Sequence, residues 1–242
     1  MAASERAASG TGSVVLRTVL LDAGGTLIYM PRGAEEILRE LCEQLGVSIT
    51  LEQSRLACRQ SERFYADNYL GYAGDQEEFW LRFHGEALRS LGIADPSREK
   101  ARFLSRAFGR AEVWQAYPEV AGVCERLLAM GLRLGVVSNG PTTVLDMLSQ
   151  AGLRRYFEVV VTSQAAGIEK PDPRIFGVAL DTMGVSAREA LFVGDIYEID
   201  VLGARAAGLM GVLIDRGGAS SERDCPVIRT LQGLIPLLRA EC

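Results

Sequence analysis

Four short segments carry side chains able to do chemistry, and each follows an apolar run. Asp22 comes straight after Val19-Leu20-Leu21 and is followed by Gly24, Gly25 and Thr26. A carboxylate at a strand's carboxyl end, beside backbone that a ligand can approach closely, suits nucleophilic attack on phosphorus or carbon. Ser138-Asn139-Gly140 follows a second run, and Pro141 then opens a helical pattern. A hydroxyl and backbone N–H groups at a helix start are donors for an anion. Lys170-Pro171-Asp172 follows a third run, and Gly194-Asp195 a fourth, with Asp200 five residues further on. Carboxylates, a lysine and a hydroxyl converging on one edge would hold a divalent cation and a phosphoryl group.

The elements that must position these residues are legible as an alternation. Apolar, strand-like runs lie at residues 16–21, 132–137, 157–161, 190–193 and 211–214. Helical patterns separate the later ones, at residues 118–130, 141–150, 172–183 and 199–207. Runs apolar nearly throughout and separated by helices predict an α/β fold with a parallel sheet covered on both faces. Right-handed crossovers then bring all the strands' carboxyl ends to one edge, where ligands bind.

The rhythm breaks over residues 31–114, which read as helical with no buried strand. Ala34, Ile37, Leu38, Leu41 and Leu45 form one stripe with Gly46 as its stop. Thr50 with Gln53 forms a possible capping box for a second helix. A third places Trp80, His84, Ala87, Leu88 and Leu91 on one face, and a fourth follows Pro96-Ser97. The expected organisation is a disordered leader at residues 1–13, a Rossmann-like core from residues 14–30 and 115–242, and an inserted all-helical cap over residues 31–114. The segment 68–75 is the insert's most irregular part.

Bulk properties narrow the function classes. The 242 residues carry 26 Lys and Arg against 31 Asp and Glu, a net charge of −5 that leaves no basic surplus for nucleic acid. No apolar stretch is long enough to span a bilayer. The five cysteines, Cys42, Cys58, Cys124, Cys225 and Cys242, include no pair at metal-ligand spacing, which points to a reducing, cytoplasmic setting. Nothing in the sequence fixes the oligomeric state.

From about Leu16 to Ile214 the four motifs, in this order and each after a strand, resemble the haloacid dehalogenase (HAD) superfamily, in its helical-cap (C1, subfamily IA) form. The resemblance implies a Mg²⁺-dependent hydrolase, in most members a phosphatase acting on a small phosphorylated metabolite. It implies that Asp22 is the nucleophile and forms an aspartyl-phosphate, that Ser138 binds phosphoryl oxygens with Asn139 beside it, and that Lys170 neutralises charge on Asp22 and the phosphoryl group. Asp195 would ligate Mg²⁺ together with Asp22 and the Gly24 carbonyl, with Asp200 as a supporting or water-mediated carboxylate.

The chain departs from the family at one position. Most of the phosphatases carry a second Asp two residues after the first, to protonate the leaving alkoxide and activate water; here that residue is Gly24. Such acid–base help is typically worth 10²–10⁴-fold. The sequence leaves three readings: a hydrolase with another acid or with easily departing leaving groups; a weak or inactive protein that binds phospho-ligands or a partner; and a metal-free dehalogenase. The last has an aromatic residue in place of Gly24 and usually lacks the Asp195 and Asp200 pattern. Phosphonate-cleaving relatives need a cap lysine, and Lys100 lies late in the insert. His84 and the cysteines read as core residues, Trp114 and Tyr117 as packing or hinge residues, Glu198 as a solvated helix residue, and Tyr29, Tyr69 and Tyr72 as possible substrate contacts.

Overall fold

The computed structural model describes residues 15–69, 76–218 and 223–241. The expected leader lies outside them, as do Tyr72 and most of the irregular segment of the insert. The central sheet is assembled from β1 (Thr18–Leu21), β4 (Arg133–Ser138), β5 (Val159–Thr162), β6 (Ala190–Gly194), β7 (Met210–Ile214) and β8 (Val227–Ile228). Its order is β5-β4-β1-β6-β7-β8, with every pairing parallel. A separate antiparallel pair joins β2 (Ile28–Tyr29) to β3 (Gln115–Ala116).

The alternation of side chains along β1 builds the two faces. Val19 and Leu21 pack into one layer with Val120, Val123 and Leu127 of α5 (Val120–Ala129), Met147 and Leu148 of α6 (Val144–Gln150), and Leu234 and Leu238 of α10 (Leu234–Glu241). Leu20 packs into the other with Phe176, Ala179 and Leu180 of α8 (Pro173–Met183) and Ala204 of α9 (Leu202–Ala206). Burial on both faces explains why the central strands read as continuous apolar runs. β2, β3 and β8 are two residues each, too short to carry a periodic signal.

Between β2 and β3 run α1 (Gly33–Gln44), α2 (Leu51–Asn68), α3 (Gln76–Ser90) and α4 (Glu99–Phe108). The Thr50 capping box forms: the Gln53 backbone N–H donates to the Thr50 hydroxyl at 3.2 Å, and the Thr50 N–H donates to the Gln53 side chain at 2.8 Å. Ile37, Leu38, Leu41 and Cys42 of α1 pack against Ala57, Leu81, Leu88 and Leu104, giving the insert its own core. Ala34 and Leu45, at the ends of the expected stripe, are half-buried. A further short helix, α7 (Ser163–Ala166), follows β5 directly, and a single π-helical turn (Tyr197–Val201) precedes α9. That turn occupies the start of the helix expected from residue 199. None of the described helices is long and apolar enough to cross a membrane.

His84 lies inside the insert, stacked on Phe108 with ring centroids 5.3 Å apart. Burial lowers its pKa from 6.5 to about 4. The unfolded chain therefore takes up this proton near pH 6.5 and the folded chain only near pH 4, so stability present above pH 6.5 is lost as pH falls between these values. Replacing His84 by Phe keeps the ring and removes the titration. Unfolding free energies measured at pH 7 and pH 4.5 are expected to fall further in wild type than in His84→Phe, by about 2–3 kcal/mol.

Candidate active site

β1 places Asp22. Its backbone N–H donates to the Val193 carbonyl at 2.9 Å, so the β1–β6 ladder continues one residue beyond the strand and delivers the carboxylate to the sheet's edge. Leu21 is in register with Val136 on one side and Val193 on the other. Ser138, the last residue of β4, and Asp195, the residue after β6, therefore flank Asp22.

Lys170 ties these strands together. It is 2% exposed, and its Nζ donates to Asp22 Oδ1 at 2.6 Å and to Asp200 Oδ1 at 2.7 Å. The ammonium also lies 5.0 Å from the centroid of the Phe192 ring. Its backbone is fixed from β4: the Asn139 side-chain NH₂ donates to the Lys170 carbonyl, and the Asn139 side-chain oxygen accepts from the Lys170 N–H, both at 2.8 Å. Asn139, expected beside Ser138 as a phosphate ligand, thus spends its side chain on the Lys170 backbone. Any contact it makes with an anion runs through its own main chain. Asp200 is similarly committed, with Oδ1 on Lys170 and Oδ2 accepting from the Ile196 N–H at 2.9 Å. It supports the lysine and the turn after Asp195.

Charge is unbalanced at this edge, with three carboxylates facing one ammonium. Burial raises the pKa of Asp22 against the pull of Lys170, and Asp200 raises it further. Burial likewise raises Asp195, aided by Asp22 and Asp200. Burial opposes the charge on Lys170, yet Asp200 and Asp22 together hold its pKa above that of a free lysine. Burial is the leading cause for both acids, and the charge count adds to it: one ammonium is shared among three carboxylates, which raises the lysine and leaves the acids short of a cation.

The turn after Asp22 shows where a further cation would fit. The Ala23 carbonyl accepts from Leu27 and Ile28, the Leu27 carbonyl from Tyr117, and the Ile28 carbonyl from Gly25. The Gly25 and Thr26 carbonyls accept from Arg216, at 3.0 and 2.7 Å. The Gly24 carbonyl alone accepts nothing from the described residues. Gly25 sits at φ +73°, and a Cβ there would lie 2.2 Å from Asp195 Oδ2, so only glycine lets Asp195 press against this turn. Among the described residues no cluster of three or more His, Cys, Asp or Glu side chains could hold a metal ion unaided. Two carboxylates, Asp22 and Asp195, plus one free carbonyl make a sparse set, which fits Mg²⁺, an ion that keeps several of its waters.

Gly24 itself is not strained. Its φ is not in the left-handed region, and a Cβ would meet only the Trp114 ring, at an ordinary contact distance of 3.8 Å. The backbone would accept a side chain here, and the sequence supplies none.

The helical insert closes over this edge with aromatic groups. Tyr69 and Phe79 are buried against Ile199, with Phe64, Tyr65, Trp80 and Ile196 packed around them. Tyr65 stacks on Tyr69 at 4.4 Å, and the Tyr69 hydroxyl donates to Glu169, the neighbour of Lys170, at 2.9 Å. Burial raises the Tyr65 pKa, and the charges of Asp200, Asp22 and Asp195 raise it further.

The other singled-out residues lie elsewhere. Tyr29 stacks on Tyr117 at 4.5 Å. Trp114 abuts Gly24, and His84 belongs to the insert's interior. Burial pushes Cys58 and Cys124 up to about 12, which keeps them as thiols. Tyr65, Glu169 and Arg216 were not legible as site residues. Arg216 obeys the same rule as the others, lying just beyond β7 on the same edge, whereas nothing in α2 marks Tyr65 apart from its neighbours.

The comparisons agree with this architecture. The haloacid dehalogenase-like hydrolase family model matches residues 16–208. A zebrafish (Danio rerio) protein named haloacid dehalogenase-like hydrolase domain-containing protein 3 is 31% identical over 228 residues, covering 91% of this chain and 94% of its own. A phosphoserine phosphatase of Thermus thermophilus is 32% identical over 225 residues, covering 84% and 90%. The crystal structure of the HAD-hydrolase YfnB of Bacillus subtilis, bound to magnesium, superposes with a TM-score of 0.79 at 20% identity, over 93% of this chain and 99% of its own, a likeness of fold. A parallel sheet with four ordered motifs on its carboxyl edge and a matching family model over most of the chain make this protein a member of the haloacid dehalogenase-like hydrolase family.

Proposed function

We propose that the protein is a Mg²⁺-dependent phosphatase acting on a small phosphorylated metabolite whose leaving group departs as a stabilised anion. The observation that carries this reading is the Asp22, Asp195 and Lys170 constellation with the unpaired Gly24 carbonyl. The phosphoserine phosphatase relative supports phosphate monoesters as the substrate class, while the restriction to good leaving groups rests on Gly24 and not on that relative, whose named substrate is an alkyl phosphate.

When bound, the cation offsets repulsion between the carboxylates and an incoming phosphoryl group. Asp22 Oδ attacks phosphorus, forming the aspartyl-phosphate as the bond to the leaving oxygen breaks and that oxygen departs with the electron pair. Water then attacks the same phosphorus, the Asp22–phosphorus bond breaks, the carboxylate is restored, and phosphate leaves carrying the water's oxygen and its protons. Ser138 and the Asn139 backbone N–H receive the phosphoryl oxygens, while the Gly140 N–H donates to the Ser163 hydroxyl at 3.0 Å and holds this turn. Lys170 stays an ammonium throughout, neutralising charge on Asp22 and on the phosphoryl group.

No carboxylate at residue 24 protonates the departing oxygen. Alkoxides therefore leave poorly, while acyl, enol and aryl oxygens leave without help. A second reading, of a binding protein with little turnover, is favoured only by Gly24.

Rates measured on wild type across aryl phosphates of graded leaving-group acidity are expected to rise steeply with acidity, with slow turnover of sugar phosphates. A flat dependence with fast sugar-phosphate turnover would mean that the insert supplies a proton. Because a Cβ at residue 24 meets only the Trp114 ring, at 3.8 Å, Gly24→Asp is expected to fold and to raise alkyl phosphate turnover, by at most about 10²–10⁴-fold. Aryl phosphate rates should change much less.

Asp195→Asn tests the metal. It removes one of three crowded carboxylates, so metal-free protein should melt at a higher temperature than wild type. The rise in Tm that Mg²⁺ gives wild type should disappear. An undiminished Mg²⁺ shift in the variant would remove Asp195 from the metal set.

A further inference from the structure

Arg216 has an unusual set of partners for a residue on a loop after a strand. Its side chain is only 16% exposed. Nε donates to the Gly25 carbonyl at 3.0 Å, one terminal nitrogen to the Thr26 carbonyl at 2.7 Å, and the other to Glu119 Oε1 at 2.8 Å. The guanidinium carbon lies 3.4 Å from the centroid of the Tyr117 ring, and Tyr117 in turn stacks on Tyr29. Tyr29 belongs to β2 and Tyr117 follows β3, the two points where the chain passes between the core and the helical insert.

We infer that Arg216 is a positioning residue that locks the turn after Asp22 and couples it to the strands at the base of the insert. The inference rests on the Mg²⁺-dependent reading given above. The geometry follows from the shape of the group. A planar fork with five donors can bridge two successive carbonyls and a carboxylate at once, which a lysine ammonium cannot do in the same plane. By taking the Gly25 and Thr26 carbonyls, the fork fixes the peptide planes on the far side of Gly24 and leaves the Gly24 carbonyl as the free acceptor of the turn. The same cation stacks on Tyr117, so a shift of β2 and β3 that moved the Tyr29–Tyr117 pair would pull on the turn. Glycine at residues 24 and 25 makes such a clamp necessary, because neither residue restrains its own backbone with a side chain.

The test uses wild type, Arg216→Ala and Arg216→Lys, with Mg²⁺ affinity read by calorimetry and kcat and KM read with p-nitrophenyl phosphate. Outer-shell groups around a metal typically affect affinity or activity by about 10–100-fold. Arg216→Ala is expected to weaken Mg²⁺ binding and lower kcat within that range, with KM for the ester changing little. Arg216→Lys keeps the charge and is expected to fold like wild type while remaining impaired in both readouts. Added guanidinium should restore kcat to Arg216→Ala, and added methylammonium should not. A role in stability alone would lower Tm without this selective rescue. Wild-type Mg²⁺ affinity and kcat in Arg216→Ala overturns the inference, as does the same result in Arg216→Lys, the deciding variant if the alanine protein does not fold. Wild-type protein that itself binds no Mg²⁺ overturns the reading of the site beneath the inference, and the inference with it.

Discussion

The constraint on which the rest of the structure depends is one buried ammonium shared between two buried carboxylates. Lys170 reaches both Asp22 and Asp200 with almost no exposure to water. Taking an ion pair out of water costs more than the pair returns unless the geometry is tight and the remaining lone pairs are engaged. The surrounding sequence meets that condition. Asn139 holds the lysine backbone at both its polar groups, the Ile196 N–H takes the second oxygen of Asp200, and the Phe192 ring lies near the ammonium. Asp22 and Asn139 follow β1 and β4, Phe192, Ile196 and Asp200 belong to β6 and the segment after it, and Lys170 lies beyond β5, so these four adjacent strands must be in place before the charge cluster is satisfied.

The cluster is satisfied for the lysine and not for the acids. Asp195 is pressed against Gly25, close to Asp22, and burial and like charge raise the pKa of both carboxylates. Such stored repulsion is how a fold keeps a place for a cation and an anionic substrate. The free carbonyl of Gly24 lies in the same turn. A glycine there costs the proposed acid but not the proposed metal contact, because the latter needs only the backbone. The same substitution therefore separates two roles that are usually discussed together, holding the metal and moving the proton.

Above this edge the insert contributes rings. The Tyr65–Tyr69 stack, the Tyr69–Glu169 hydrogen bond and the packing on Ile196 and Ile199 bring the insert onto the segment carrying Asp195 and Asp200. At the insert's base, the stack of Arg216, Tyr117 and Tyr29 connects the two strand crossings to the turn after Asp22. The site is thus gripped from two directions, by aromatic packing at the rim and by a cation fork at the root.

The sequence by itself determined the layers and the order of the chemistry. Val19-Leu20-Leu21 and its counterparts read as strands buried on both faces because β1 sends alternate side chains into two separate cores. The Thr50–Gln53 capping box and the stripe of Ile37, Leu38 and Leu41 were legible because both are local, set by spacing within a few residues. Asp22, Ser138, Lys170 and Asp195 could be placed on one edge because strand direction in a parallel sheet decides where each strand ends. What only the tertiary structure decided was how each side chain is used. The Asn139 amide turns to the Lys170 peptide, although its place beside Ser138 suggested a phosphate ligand. Tyr65 joins the Tyr69, Phe79 and Ile199 cluster beside the site through the packing of α2 and α3, and Arg216 reaches Gly25 and Thr26 across 191 and 190 residues. The two-residue strands β2, β3 and β8 have no periodicity to read. Spacing along a chain fixes what a residue's own element presents, whereas a hydrogen bond between distant elements depends on side-chain directions that exist only once those elements have packed.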